Sequence, residues 1–277
     1  MLIYAIVGAL IVGLSLGVFG SGGSILTVPV LVYLLHHQDK VAIAESLGIV
    51  GSIALVGCLP YARDRLVDWR LAMLFGLPGM IGTFVGAWLS GFVAGYVQLM
   101  VFALVMAVAA AHMWRRSRPT SGGQHVDAGE IAHRPATAIA AAQGVGVGLM
   151  TGFVGVGGGF LIVPALVLVG RLPMRRAVAT SLVIISMNSA TGLLKHHHVL
   201  TDAGASPAWS VMGVFVAIGI VGTFVGRALQ SRMNQRLLQR GFAIFLVVMA
   251  GFILTKEGLG MLRERNAAHT TPQGATQ

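Results

Sequence analysis

Two clusters of glycines carry most of the chemistry open to this chain. Gly20, Gly22 and Gly23 precede Ser24 in "GVFGSGGSILTVP", residues 17–29, and Gly155, Gly157, Gly158 and Gly159 fall in "GFVGVGGGFLIVP", residues 152–164. Each cluster interrupts an apolar segment. Glycine allows the dihedrals at which one helix stops and another starts, and it lets a second backbone or a ligand come close. The restarted helix opens with about four N–H groups that have no intrahelical acceptor, at the positive end of its dipole. Amides grouped in this way bind anions. The donors expected from the spacing are the amides of Gly22, Gly23 and Ser24 in the first cluster and those of Gly157, Gly158 and Gly159 in the second. Gly13 with Gly17, and Gly148 with Gly152, read instead as small-residue faces for close helix crossing.

Ser46 and Ser181 hold matching places in "AESL" (44–47) and "ATSL" (179–182). Their hydroxyls either donate to an anion or bond back to their own helix. Glu45, an ionisable group in an apolar segment, is the candidate for proton coupling, the competing role being a solvated acid near Asp39 and Lys40. Asn188 lies deep in the apolar run 174–194, where its amide either bonds across helices or contacts a ligand. Arg171, Arg175 and Arg176 read as a loop at headgroup level, and Arg227 as a snorkelling side chain.

Enzyme chemistry is not expected. Ser21 beside glycines would need a basic partner to act as a nucleophile, but the matched position is Val156 and no histidine sits in a clearly apolar helix. "KHHH", residues 195–198, invites a metal, yet consecutive helical side chains point about 100° apart and no carboxylate or cysteine motif accompanies them. No metal site and no cofactor are expected. Cys58, the only cysteine, reads as a packing residue.

The elements that must position these groups follow from composition. Of 277 residues, 56% are hydrophobic and 10% charged, and the mean hydropathy is +0.82. A soluble domain carries about a quarter charged residues, so this is an all-α polytopic membrane protein by expectation. Apolar segments run at about 2–36, 41–60, 71–93, 97–114, 136–170, 174–194, 208–230 and 241–255. The formal charge of +10 suits an anionic substrate but is assigned first to topology and contact with anionic lipid, and no nucleic-acid partner is expected.

The chain divides into residues 1–114, a polar linker at 115–135, residues 136–257, and a tail at 258–277 expected to be disordered. The two apolar parts match as repeats. Gly13, Gly17, Gly20, Gly22, Gly23, Val28 and Pro29 return 135 positions later, while "GTFVG" at 82–86 and Trp69 return 140 positions later at 222–226 and Trp209. Duplication of this kind marks many secondary transporters, whose solute sites form between the repeats. Each glycine-broken segment is about 35 residues, too long for one crossing and short for two. Five segments per half would give inverted repeats and four would give parallel ones; the sequence leaves both open.

The paired glycine runs ending in Val-Pro, followed by "AESL" and "ATSL", resemble the TauE/SafE family, often called sulfite exporters, over nearly the whole chain outside the linker and tail. The resemblance implies about eight transmembrane helices in two homologous repeats and secondary transport of sulfite, sulfonates or related sulfur-containing anions across the inner (cytoplasmic) membrane. Expected partners are thus a small anionic solute and membrane lipids; small-residue faces such as "GTFVG" either pair two copies in a homo-oligomer or pack the repeats together. The alternative is a permease for another solute, such as a transition metal or a carboxylate.

Overall fold

Apolar runs of this length must satisfy every backbone polar group internally, which within lipid a helix does segment by segment. The computed structural model describes residues 2–93, 95–116, 137–154, 159–168, 170, 172–202 and 208–270, and all regular structure among them is helical. The first half holds α1 (Leu2–Phe19), α2 (Gly22–Pro29), α3 (Asp39–Arg63), α4 (Trp69–Ser90) and α5 (Gly95–Arg116). The second holds α6 (Thr137–Val154), α7 (Gly159–Leu168), α8 (Met174–Asp202), α9 (Trp209–Arg232) and α10 (Gln235–Thr270). After Pro29, which lacks an N–H, α2 widens into a π-helical turn over Val30–Leu34. Linker residues 117–136 lie outside the described residues, whereas α10 continues to Thr270, past the boundary drawn at 257.

Five helices are long and apolar enough to cross a membrane: Lys40–Arg63, Trp69–Ser90, Met174–Lys195, Trp209–Arg232 and Gln235–Thr255. Shorter apolar helices cover Ala5–Phe19, Gly22–Leu34, Met100–Ala111 and Ala138–Val154. Large apolar side chains such as Leu55, Ile81, Phe84, Val221 and Val248 point outward. The chain is a multi-pass membrane protein, with α3 and α8 the most enclosed of the long helices.

Glycine faces decide which helices touch. A β-carbon on Gly13 would collide with Gly219, and one on Gly17 with the Thr223 carbonyl, so α1 lies directly on α9. In the same way Gly148 meets Gly79 and Gly152 meets the Thr83 carbonyl, which places α6 on α4. Both crossings run parallel and join the first helix of one half to the "GTFVG" helix of the other. These glycine faces are therefore spent inside the chain, the second of the two roles open to "GTFVG".

The central pair runs the other way. A β-carbon on Gly51 of α3 would lie 2.8 Å from Ser189 Cβ of α8, while Gly192 of α8 sits against Leu47 at 3.2 Å, so α3 and α8 are antiparallel. Position-matched helices of the two halves thus run in opposite directions. Between α1 and α3, which both lie parallel to α9, the α2 segment makes the return pass.

Candidate functional site

The break in the first half begins with the stop of α1. Gly20 takes φ +72°, and its N–H donates to Leu16 O at 2.7 Å, a left-handed helix ending that glycine adopts without strain. The carbonyls left over by that ending are answered from distant helices. Tyr61 Oη donates to Gln230 Oε1 at 2.8 Å and lies 3.2 Å from Gly17 O, while Gln230 Nε2 donates to Val18 O at 3.1 Å. The acceptor side of the break is closed by the protein itself.

The donor side is built differently. Because α2 starts at Gly22, the N–H groups of Gly22, Gly23 and Ser24 occupy its first turn, where no intrahelical acceptor exists. Ser24 Oγ donates to Ser21 O at 2.7 Å and Thr27 Oγ1 to Gly23 O at 2.6 Å, so both hydroxyls are held. Ser21, the N-cap, makes no side-chain cap bond; its hydroxyl is buried and has no hydrogen-bond partner. The glycines at 22 and 23 also serve packing. A β-carbon on Gly22 would run into Ser15 Oγ, and one on Gly23 would lie 2.7 Å from Val12 O and 2.8 Å from Leu16 Cβ, because α2 folds back on α1.

The start of α7 reaches the same place. Gly155, Gly157 and Gly158 lie outside the described residues, but Gly159 opens α7. A β-carbon there would lie 2.7 Å from Ile185 Cδ1, 3.0 Å from Ser21 Cβ and 3.0 Å from Ser24 Oγ. The starts of α2 and α7 therefore meet beside α8. On α8, Ser181 Oγ donates to Val178 O at 2.8 Å and lies 3.3 Å from Gly20 O. Gly20, Gly22, Gly23, Ser24, Gly159 and Ser181 are thus brought together. Ser46 Oγ donates to Ile43 O at 2.8 Å, the bond position-matched to that of Ser181. Asn188 stands two turns beyond Ser181 on α8, with its amide buried and without a partner.

Glu45 is 0% exposed, which removes the alternative of a solvated acid. Its Oε1 accepts the Ala208 N–H at 2.7 Å and its Oε2 lies 2.6 Å from His37 Nδ1. The matched residue, Thr180, accepts the Asp68 N–H through Oγ1 at 3.0 Å. Asp68 and Ala208 immediately precede α4 and α9, so the two side chains perform one task in opposite halves.

Three cationic residues have partners that the sequence did not suggest. Arg175 donates to Ser231 O at 2.6 Å and Met233 O at 3.1 Å, closing the end of α9 where a headgroup contact was expected. Arg227 pairs with Asp64 and sits 4.9 Å over the Tyr61 ring, which ties it to the protein where snorkelling was expected. Lys195 Nζ lies 5.4 Å over Phe84, while the side chains of His196, His197 and His198 lie outside the described residues. Sequence reasoning missed Tyr61 and Gln230 as caps, and took Ser21 only as a nucleophile to be rejected. It passed over Thr83 within "GTFVG" and Ser189 beside Asn188.

The sulfite exporter TauE/SafE family matches residues 5–253. A protein of Xylella fastidiosa named "Probable membrane transporter protein" is 32% identical over 88% of this chain and 91% of its own length. "Probable membrane transporter protein YunE" of Bacillus subtilis is 30% identical over 69% of this chain and 76% of its own. A probable membrane transporter protein of Methanocaldococcus jannaschii is 24% identical over 93% of this chain and 94% of its own. No solved structure matches the chain. With a buried meeting of two glycine-opened helices inside a multi-pass membrane protein, and a family match across nearly its whole length, the chain belongs to the sulfite exporter TauE/SafE family.

Proposed function

We propose that the protein is a secondary transporter of the inner membrane that exports a small anion of the sulfite or sulfonate class, with Glu45 as the proton-coupling group. The observation that carries this reading is the meeting of the α2 and α7 starts at Ser21, Ser24 and Gly159 beside Ser181. The first-turn amides of Gly22, Gly23 and Ser24, with Gly157, Gly158 and Gly159 from the second half, are the anion donors, and Gly20, Gly155, Ser46 and Ser181 line the same site. A family name that speaks of sulfite supports the solute class, and relatives named as membrane transporters support transport.

The opposite directions of α3 and α8 support two homologous inverted repeats about an axis in the membrane plane. Eight helices then cross the bilayer, and α2 and α7 are short segments that turn back from the breaks at the ends of α1 and α6. Alternating access is rocking of the outer helices about that fixed centre. The test is efflux of trapped sulfite, sulfoacetate, taurine and sulfate from liposomes holding the purified protein, with and without a pH gradient. Protein-dependent efflux of a sulfur anion that quickens with the gradient is expected; a folded protein that moves none of the four refutes the reading.

A further inference from the structure

A second polar feature lies one turn along α8 from the breaks. Asn188 is 0% exposed, and neither Oδ1 nor Nδ2 has a hydrogen-bond partner. Ser189 beside it and Thr83 of α4 are also buried, with hydroxyls that have none. The Asn188 amide lies against α4: a β-carbon on Gly79 would be 3.1 Å from Oδ1 and 3.2 Å from Nδ2. One turn further along the same seam, Thr83 Cγ2 would be 3.4 Å from a β-carbon on Gly192. Ser189 faces α3 at Gly51. An amide surrounded by hydrocarbon without a partner is among the costliest neutral groups to bury.

Packing does not require that polarity, as the matched seam of the other half shows. The residues 135 positions before Asn188 and Ser189 are Ile53 and Ala54. Ile53 packs against Gly219 just as Asn188 does against Gly79. Thr223, matched to Thr83, donates to Gly219 O at 2.8 Å and lies 3.1 Å from Gly13 O. One half therefore builds this crossing with an isoleucine and a satisfied threonine, and the other leaves an amide and two hydroxyls open.

The place of the cluster suggests what answers it. Ile185, whose Cδ1 touches the start of α7 at Gly159, is three residues before Asn188, about 4.5 Å along the helix axis. The stripe 181, 185, 188 on α8 thus leads from the break to the amide. We propose that Asn188, with Thr83 and Ser189, forms a single-copy subsite for the uncharged polar end of the transported solute, a hydroxyl or similar group that donates and accepts at once. The solute's anionic end is held at the breaks, so this inference rests on the site proposed above. An asparagine offers both a donor and an acceptor, as each hydroxyl does. All three groups are neutral, so the subsite discriminates against a second charge, which would be left without a counter-ion. The solute class is a short organic anion bearing a hydroxyl a carbon or two from its charged group.

Isethionate and ethanesulfonate differ only by such a hydroxyl, and their flux is compared in liposomes holding the full chain. The wild-type protein is expected to favour isethionate about tenfold in kcat/KM, the size of one good neutral hydrogen bond. Asn188→Ile, which installs the residue of the matched position, is expected to melt no lower than wild type and to bring the two solutes within about twofold of each other. Thr83→Val removes only a hydroxyl; it is expected to narrow the preference and decides the matter if Asn188→Ile fails to fold. Equal transport of the two solutes by wild type, or an unchanged preference in the variants, overturns the subsite and leaves the break site standing. A wild-type protein that moves neither sulfonate overturns the subsite, and overturns the break site as well only if sulfite, sulfoacetate, taurine and sulfate also stay trapped.

Discussion

Replacing Ser21 with alanine separates function from stability more cleanly than any glycine substitution. Ser21 caps α2 by position, but its hydroxyl makes no cap bond and has no partner. Its removal therefore breaks no hydrogen bond within the protein. An unpaired buried hydroxyl carries a desolvation cost of about 1–3 kcal/mol, part of which alanine recovers. The melting temperature of Ser21→Ala is expected to stay level or rise, by about 2–4 °C for each kcal/mol regained. Transport moves the other way. A hydroxyl that donates to a bound anion contributes about 1.5–3 kcal/mol, so its loss raises KM about 10- to 150-fold. Detergent-solubilised protein followed by thermal melting, and the same preparation in sulfite-loaded liposomes, give both readouts. No lesion of folding produces higher stability with weaker solute binding. An unchanged KM in Ser21→Ala would remove Ser21 from the solute site, and a lower melting temperature would show that its hydroxyl has a structural role.

The other expectations follow from the same contacts. Gly17→Val and Gly152→Val drive a side chain into the backbone carbonyls of Thr223 and Thr83; both should lose the monodisperse peak in size-exclusion chromatography. Gly23→Leu should melt well below wild type, because its side chain points into Val12 and Leu16 and not toward solute. Glu45→Gln keeps an acceptor for the Ala208 N–H and should fold normally, while the effect of an imposed pH gradient on efflux disappears. Glu45→Ala leaves that N–H unanswered and should cost about 1–3 kcal/mol in a denaturation series. Thr180→Val removes the acceptor for the Asp68 N–H and should cost about 0.5–1.5 kcal/mol in the same series.

Helical class and the glycine breaks at which α2 and α7 start were legible in the sequence because each rests on local composition and spacing. The partners of those breaks were not. Spacing showed that Gly13 and Gly17 want a close neighbour, but any small-residue face would serve; only the fold selects Gly219 and Thr223 in the other half. Tyr61 and Gln230 lie 169 positions apart, and neither carries a local signal that it will cap the end of α1. The choice between four and five segments per half was undecidable from length alone, since 35 apolar residues suit either arrangement. It turns on whether α2 folds back on α1, and Gly22 and Gly23 permit that return by leaving room for Ser15 and Leu16.

Glu45 shows how a departure between matched halves separates structure from function. Thr180 meets the structural requirement of its position with one hydroxyl, which accepts the N–H preceding α4. Glu45 meets the same requirement, for the N–H preceding α9, with one carboxylate oxygen. A threonine would have sufficed there, so the second oxygen and its charge have another cause. That oxygen lies 2.6 Å from His37, whereas the position matched to His37 in the second half is Leu172. One half thus carries a buried acid beside an imidazole at the joint between α3 and α9, and the other carries a hydroxyl beside a leucine. The structural tie is common to both halves and the ionisable pair belongs to one, so the proton coupling proposed for Glu45 bears on one of two otherwise matched joints.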